Sequence, residues 1–269
     1  MSDGAIMNDD FVSASTWQKE SPGLTVGHVP PSWSQGRASF GGLVAAIALR
    51  PMLAVIAPER WLRSLSVSFV APLASAPAQC QTQLLREGRA LSMVESRIIQ
   101  EGSVRCIAIG TFAADRSSSA LVEPPPAPVR APGQELPFTP SMMPTFLQHF
   151  VMRWDSAERR QSDSPDAHIL GACRFASDSR DADVLDVLAL MDVWPPALAT
   201  IMKTFKSGST ASWTIDFPYR ETQGRTDAWW SYEVRAVAAS GGYGQTQAWL
   251  WDPQGRAVAR STQLVAVFE

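Results

Sequence analysis

The stretch that decides the fold is GLVAAIALRPMLAVI at residues 42–56, followed by SLSVSF at residues 64–69. The first segment is apolar on nearly every side, which is typical of a helix buried on most of its surface. Pro51 is expected to kink or end this helix. In the second segment three apolar residues alternate with serines, a period of two that indicates a half-buried strand. The first structural unit is therefore a buried helix followed by a strand.

The second half of the chain repeats this order. Residues 183–191 read DVLDVLALM and predict an apolar helix within residues 183–203, with a stop near WPP at 194–196. SWTIDF at 212–217 then alternates like the first strand. Further strands are predicted at residues 81–85, 90–100, 104–112, 229–238, 243–251 and 257–267. A duplicated unit of one helix and several antiparallel strands is the simplest explanation.

A proline-rich segment divides the two halves. Eight of the 20 prolines fall between Pro124 and Pro144. Proline removes backbone donors and favours extended conformations, so the segment is predicted to be a linker. The expected division is 1–116, 117–144 and 145–269.

Composition limits the classes of function. The chain has 23 basic and 26 acidic residues without a long run of either sign, which argues against a nucleic-acid or anionic-membrane partner and favours a small substrate. The first eleven residues lack the pattern of a secretory signal, and the most apolar window is too short to span a bilayer, so a cytoplasmic location is expected. The three cysteines lack metal-site spacing and are predicted to be reduced core residues.

A long helix lying across a curved antiparallel sheet buries both apolar faces, and two such units can pair their sheets. The predicted fold class is therefore α+β, a double hotdog. Segments from both halves carry a resemblance to the acyl-CoA thioesterase II and thioesterase-like families. In the first half these are residues 36–49, 65–72 and 86–91; in the second half they are residues 188–197, 211–217 and 229–267.

The resemblance implies hydrolysis of an acyl-CoA or acyl-carrier thioester, fatty or aromatic, by bound water without a metal or organic cofactor. It also implies that backbone N–H groups at the start of a hotdog helix receive the oxyanion, here at Gly41, Gly42 and Leu43. Glycine lets a substrate approach the backbone closely. The alternative is that the glycines only permit tight packing of the helix start.

The positions that correspond to the family's reactive Asp, Thr and Gln are harder to identify in this sequence. Gln263 keeps the Gln position, but Val237 occupies the Thr position. Alignment on the strand places the acid at Ser212, and small gaps move it to Thr214 or Asp216. We expect Asp216 to act as the base, because it alone of the three ionises at neutral pH, with Thr214 assisting. An ordinary exposed carboxylate is the alternative reading of Asp216.

Three further possibilities remain open. Asp192 lies where the family often has an Asp, and we interpret it first as an acceptor for backbone donors, with catalysis as the second reading. Ser39 lies in an imperfect nucleophile motif, GRASFG, and is a weak candidate. The chain could instead be a family member that binds acyl ligands, or an assembly subunit, without turnover. A homo-oligomer is expected, because relatives cover sheet edges by association.

Overall fold

A computed structural model of the protein describes residues 9–129, 133–154 and 166–269. Within these ranges the α helices are α1 Phe11–Ser15, α2 Gly41–Leu53 and α3 Val184–Asp192. The strands are β1 Gln18–Ser21, β2 Leu24–Gly27, β3 Ser34–Gln35, β4 Ala38–Ser39, β5 Trp61–Phe69, β6 Ala78–Glu87, β7 Ser92–Gln100, β8 Ser103–Ala113, β9 Gln134–Leu136, β10 Phe150–Trp154, β11 His168–Phe175, β12 Ser207–Asp216, β13 Trp230–Ser240, β14 Tyr243–Trp251 and β15 Ala257–Phe268. Short 3-10 helices lie at Pro31–Trp33, Thr145–His149 and Ala197–Thr200.

Thirteen strands form one antiparallel sheet in the order β1-β2-β6-β7-β8-β5-β12-β15-β14-β13-β11-β10-β9, and β3 pairs with β4 separately. The order is symmetric about the β5–β12 contact. Outward from that contact it runs β5-β8-β7-β6 in one direction and β12-β15-β14-β13 in the other. The predicted unit, a buried helix followed by four strands, thus occurs twice with the same strand order.

The two long helices lie on one face of this sheet and form its core. α2 packs against β6, β7 and β8, α3 packs against β14 and β15, and the two helices pack against each other. Small side chains on α2, including Ala45 and Ala48, are fully buried and allow this close approach. The alternation predicted for β12 is also present, because Trp213 and Ile215 are buried whereas Thr214 and Asp216 are partly exposed. The helix-facing side of the sheet is therefore apolar along both halves.

Some boundaries differ from those predicted. α2 keeps Pro51 in its last turn and ends at Leu53. α3 ends at Asp192 rather than near residue 203, because Pro195 and Pro196 cannot continue the helix, and only a short 3-10 helix follows. Nothing in the sequence pattern predicted that β2 would pair with β6 and so extend the sheet.

The proline-rich segment has no helix or strand at residues 117–129, although β9, within the predicted linker, pairs with β10. The indole N–H of Trp251 donates a hydrogen bond to the carbonyl of Pro125 over 2.9 Å, which holds the segment against the second half of the sheet. In the described ranges, no helix is long and apolar enough to cross a membrane. Cys80, Cys106 and Cys173 are free and buried, as the sequence predicted.

Candidate active site

Asp192 and Gln263 meet beside the start of α2. Asp192 is the last residue of α3, and Gln263 lies on β15. The Gln263 amide Nε2 donates a hydrogen bond to Asp192 Oδ1 over 3.1 Å. Both residues are partly buried and keep some contact with solvent. A carboxylate and a side-chain amide in this direct contact can together bind one water molecule beside them, because the second carboxylate oxygen and the amide oxygen can still accept hydrogen bonds.

The start of α2 completes this arrangement. Its N-cap residue, Phe40, provides no side-chain hydrogen bond, and the first bond of the helix runs from the Val44 N–H to the Phe40 carbonyl. The N–H groups of Gly41, Gly42 and Leu43 therefore have no acceptor within the helix. Asp192 accepts a hydrogen bond from the Gly42 N–H. The carboxylate is thus held by a backbone donor of one helix and by a side chain of the sheet.

The positions of Gly41 and Gly42 each require glycine, but for different structural reasons. A Cβ on Gly41 would lie 2.7 Å from Asp192 Oδ2, so a side chain there would displace the carboxylate. A Cβ on Gly42 would lie 2.9 Å from the Cα of Ala189 in α3 and closer still to the Phe40 ring. Gly42 is therefore required for helix packing, which was the alternative reading. Gly41 is required for the approach of Asp192.

Burial raises the pKa of Asp192 from 3.8 to about 7, although the hydrogen bonds from Gln263 and Gly42 act in the opposite direction. Desolvation dominates because the carboxylate lies between two apolar helices and the sheet, even though part of the residue remains open to solvent. A carboxyl group with a pKa near neutrality can accept a proton from water and return it within one reaction cycle.

Two buried donors lie close to this pair. Trp213, the register partner of Gln263 across β12 and β15, is 1% exposed, and its indole N–H has no partner among the described residues. Tyr232 stacks on Trp194 with ring centroids 5.2 Å apart. Burial, with a contribution from the Asp192 charge, holds the pKa of Tyr232 well above its usual value, so the phenol stays neutral. The site therefore has neutral donors around one ionisable acid.

Asp216 and Thr214 do not lie on the same face of the sheet as Gln263. The register pairs Gln263 with Trp213, Thr214 with Thr262, and Asp216 with Arg260. Paired residues of an antiparallel ladder share a face, and neighbouring residues alternate. Gln263 therefore faces the helices, whereas Thr214 and Asp216 face the opposite side of the sheet. The strands are neighbours, as the predicted site required, but the register separates its members.

On that opposite face Asp216 is half exposed and accepts a hydrogen bond from Ser64 Oγ over 2.8 Å. Arg260 lies 3.8 Å away as an ion-pair partner. Val237, at the family's Thr position, is 66% exposed at a bulge in β13. The Ser39 hydroxyl is buried and donates to the Leu73 carbonyl, so it is not placed as a nucleophile.

From the sequence, Asp192 is interpreted first as an acceptor for backbone donors and only second as a catalytic residue. The structure confirms that it accepts a backbone hydrogen bond, but the donor is Gly42 of the other helix rather than the chain reversal that follows α3. The signal for a larger role was present in its position, since an acid at the end of an apolar helix is buried with it. Its contact with Gln263 depends on strand register and could not be inferred from spacing.

Comparison with known proteins gives the family. Residues 29–113 match the model of the acyl-CoA thioesterase N-terminal domain, and residues 122–267 match that of the acyl-CoA thioesterase C-terminal domain. A comparison with curated proteins finds no significant match. The two matched domains follow each other in chain order, and the second match includes the proline-rich segment.

Solved structures show the same fold. A hot dog fold protein of unknown function from Alicyclobacillus acidocaldarius is 23% identical with a TM-score of 0.84, covering 96% of this chain and 98% of that one. The tesB protein of Mycobacterium avium subs paratuberculosis is 19% identical with a TM-score of 0.78 and the same coverage. An acyl-CoA thioesterase II from Mycobacterium marinum is 18% identical with a TM-score of 0.73, again covering 96% and 98%. These likenesses establish a hotdog-type α+β fold, and the two domain matches establish that the chain belongs to the acyl-CoA thioesterase family.

Proposed function

We propose that the protein hydrolyses a fatty or aromatic acyl thioester of coenzyme A or of an acyl carrier protein, with Asp192 as the general base. The observation that carries this proposal is a carboxyl group with a pKa of about 7, held by Gln263 at the start of α2. Membership of a thioesterase family supports thioester hydrolysis in general. The assignment of Asp192 replaces Asp216 as the expected base, because Asp216 lies on the other face of the sheet.

In this mechanism water bound to Asp192 and Gln263 attacks the carbonyl carbon of the thioester. Asp192 takes one proton from the water as the new carbon–oxygen bond forms, and the carbonyl oxygen becomes an oxyanion. The carbon–sulfur bond then breaks, and the sulfur leaves with the proton that Asp192 returns. The products are a carboxylic acid and a thiol, and no metal or organic cofactor is required.

The oxyanion is assigned to the N–H groups of Gly41 and Leu43. Gly42 donates to Asp192 and so fixes the base, while its two neighbours have no acceptor within the helix. The partial positive charge at a helix start favours negative charge there. Preorganised donors of this kind contribute about 10²–10³ in rate each in other acyl-transfer enzymes.

The proposal includes the arrangement of the chain. The symmetric strand order supports a double hotdog with the division 1–116, 117–144 and 145–269, of which residues 1–8, 130–132 and 155–165 lie outside the described ranges. We expect a homo-oligomer, because β1 and β9 are sheet edges that association can cover. Light scattering tests this expectation, and a mass of one chain would contradict it. A cytoplasmic location remains part of the proposal.

The second candidate function is acyl-ligand binding without turnover. Val237 at the family's Thr position favours it, because a valine cannot provide a hydroxyl and here is largely exposed. Under this reading Asp192 serves only to cap α2 through Gly42. Both functions are compatible with this fold, but only hydrolysis releases a thiol.

Release of thiol from a panel of acyl-CoAs, followed with a thiol reagent, distinguishes these functions. The panel should contain short, medium and long fatty chains and an aromatic acyl group. Hydrolysis means turnover above the uncatalysed rate for at least one of them. Background rates throughout, together with saturable binding of the same compounds, would favour the binding function.

A further inference from the structure

An apolar cavity with two cations lies at the far end of α2 from the candidate active site. Its volume is about 230 Å³, and its wall includes Leu24 of β2 and Ile47 of α2. Lys19 of β1 and Arg50 of α2 also line it, and no acidic residue does. At 1.5 Å per residue, Arg50 lies roughly 12 Å along the helix from Gly42. The cavity is therefore separate from the Asp192 site.

The packing of the two long helices relates this cavity to the active site. The helices α2 and α3 pack against each other, and the end of each lies near the start of the other. Asp192, at the end of α3, binds the start of α2, and Arg50, near the end of α2, interacts electrostatically with Asp183 and Asp186 at the start of α3. The cavity thus lies at the opposite end of the helix pair, where a guanidinium rather than a carboxylate lies near a helix start.

The start of α3 is not free to receive an oxyanion. The Asp183 carboxylate accepts hydrogen bonds from the N–H groups of Leu185 at 2.8 Å and Asp186 at 3.2 Å. Asp186 in turn accepts from the Asp183 N–H at 2.8 Å and forms an ion pair with Arg180. A guanidinium cannot take a proton from water. This second position therefore lacks both parts of the hydrolytic chemistry.

Its remaining chemistry suits an anion with an apolar tail. Arg50 Nε donates to the Ser15 carbonyl over 3.1 Å, and Nη2 donates to the Ser15 hydroxyl over 2.6 Å, which fixes the guanidinium plane. In the described part of the chain, Arg50 Nη1 makes no hydrogen bond and Lys19 makes no ion pair. Burial lowers the pKa of Arg50 although the charges of Asp183 and Asp186 act in the opposite direction, so a bound anion would offset the desolvation cost that these carboxylates leave.

Trp17 adds to the apolar part of the wall. It lines the cavity and is 9% exposed. Its indole N–H is buried and closed to solvent, so the ring offers the ligand an apolar surface rather than a donor.

We propose that this cavity is a second, non-catalytic ligand site that binds a small carboxylic acid. The carboxylate lies against Arg50 and Lys19, and the hydrocarbon tail lies against Leu24 and Ile47. At about 30 Å³ for each water-sized group, the volume holds roughly eight heavy atoms, the size of hexanoate. The inference does not depend on hydrolysis at Asp192.

Calorimetric titration of the full chain with hexanoate tests the proposal. Hexanoate is expected to bind at least about tenfold more tightly than hexanol, which lacks the charge, and than inorganic phosphate, which lacks the tail. Lys19→Gln should weaken hexanoate binding by about fivefold. The matched variant Lys206→Gln, which lies just before β12 and outside the cavity wall, should leave hexanoate binding unchanged. Ala54→Phe, which places a ring at the exposed rim of the cavity, should abolish binding.

Two results would overturn the proposal. One is hexanoate binding that is unchanged by both Lys19→Gln and Ala54→Phe. The other is binding that is lost in Asp192→Asn and Gln263→Ala, since the acid would then occupy the candidate active site. Arg50→Gln is a further variant, but it also removes the contacts with Ser15, so Lys19→Gln and Ala54→Phe decide the question.

Discussion

Gln263 donates a hydrogen bond to Asp192 from a strand 71 residues farther along the chain, over 3.1 Å. This contact joins the end of α3 to β15 directly beside the start of α2. It brings together the one side chain of the family's reactive set that this chain keeps at its aligned position and an acid that the alignment did not select.

The first prediction concerns pH. Asp192 must be ionised to accept a proton, and its pKa is about 7. We therefore expect kcat/KM to rise with pH through about 7 and to level off above it, as measured with one acyl-CoA across pH 5 to 9. A profile that is flat between pH 6 and 8 would contradict the role of Asp192.

Gln263→Ala should change this profile as well as the rate. The Gln263 hydrogen bond lowers the pKa of Asp192, so its removal should move the midpoint of the profile to higher pH. We expect turnover to fall by about 10²-fold if the amide positions the water. A fall in rate with an unchanged midpoint would mean that Gln263 acts on the substrate rather than on Asp192.

The variants Gly41→Ala and Gly42→Ala should distinguish a loss of catalytic activity from a loss of stability caused by poorer helix packing. In Gly41→Ala the new Cβ would displace Asp192, so we expect loss of activity with a small change in thermal stability. In Gly42→Ala the new Cβ meets the backbone at Ala189, so we expect unfolding to become easier by about 1–3 kcal/mol. Activity and thermal denaturation should be measured for both variants. Equal stability losses would remove the distinction.

Asp192→Asn should stabilise the protein at high pH. The pKa of this carboxyl is higher in the folded chain than its ordinary value of 3.8, so its ionisation opposes folding as pH rises from about 4 to 7, and the cost is complete above 7. The shift of about three units corresponds to at most about 4 kcal/mol. Urea denaturation should show more stabilisation at pH 8 than at pH 5. Equal effects at both pH values would indicate another cause.

The sequence predicted the helices α2 and α3 and the strands β5–β8 and β12–β15 because their signals are local. The apolar helix before residue 56 and the alternation around Trp213 need no information from elsewhere in the chain. The N-terminal strands β1 and β2 were not predicted, since their residues are exposed or half-buried and show no clear period. The symmetric strand order was implied only by the repeat.

The site was harder to predict because it depends on register. A shift of one residue moves a side chain to the opposite face of a sheet. Pairing with Trp213 places Gln263 on the face of the sheet beside the helices. The same register places Asp216 and Thr214 on the opposite face, away from Gln263. The buried environment of Asp192 likewise arises from packing between two distant helices.

The most direct test of the central claim is thiol release from the best acyl-CoA of the panel by the wild-type chain, Asp192→Asn and Asp216→Asn, with folding checked by circular dichroism. The two variants make the same chemical change on opposite faces of the sheet. We expect Asp192→Asn to lose at least about 10² in kcat and Asp216→Asn to stay within a few-fold of wild type. Normal hydrolysis by a folded Asp192→Asn, or loss of activity in Asp216→Asn alone, would contradict the assignment of Asp192 as the base.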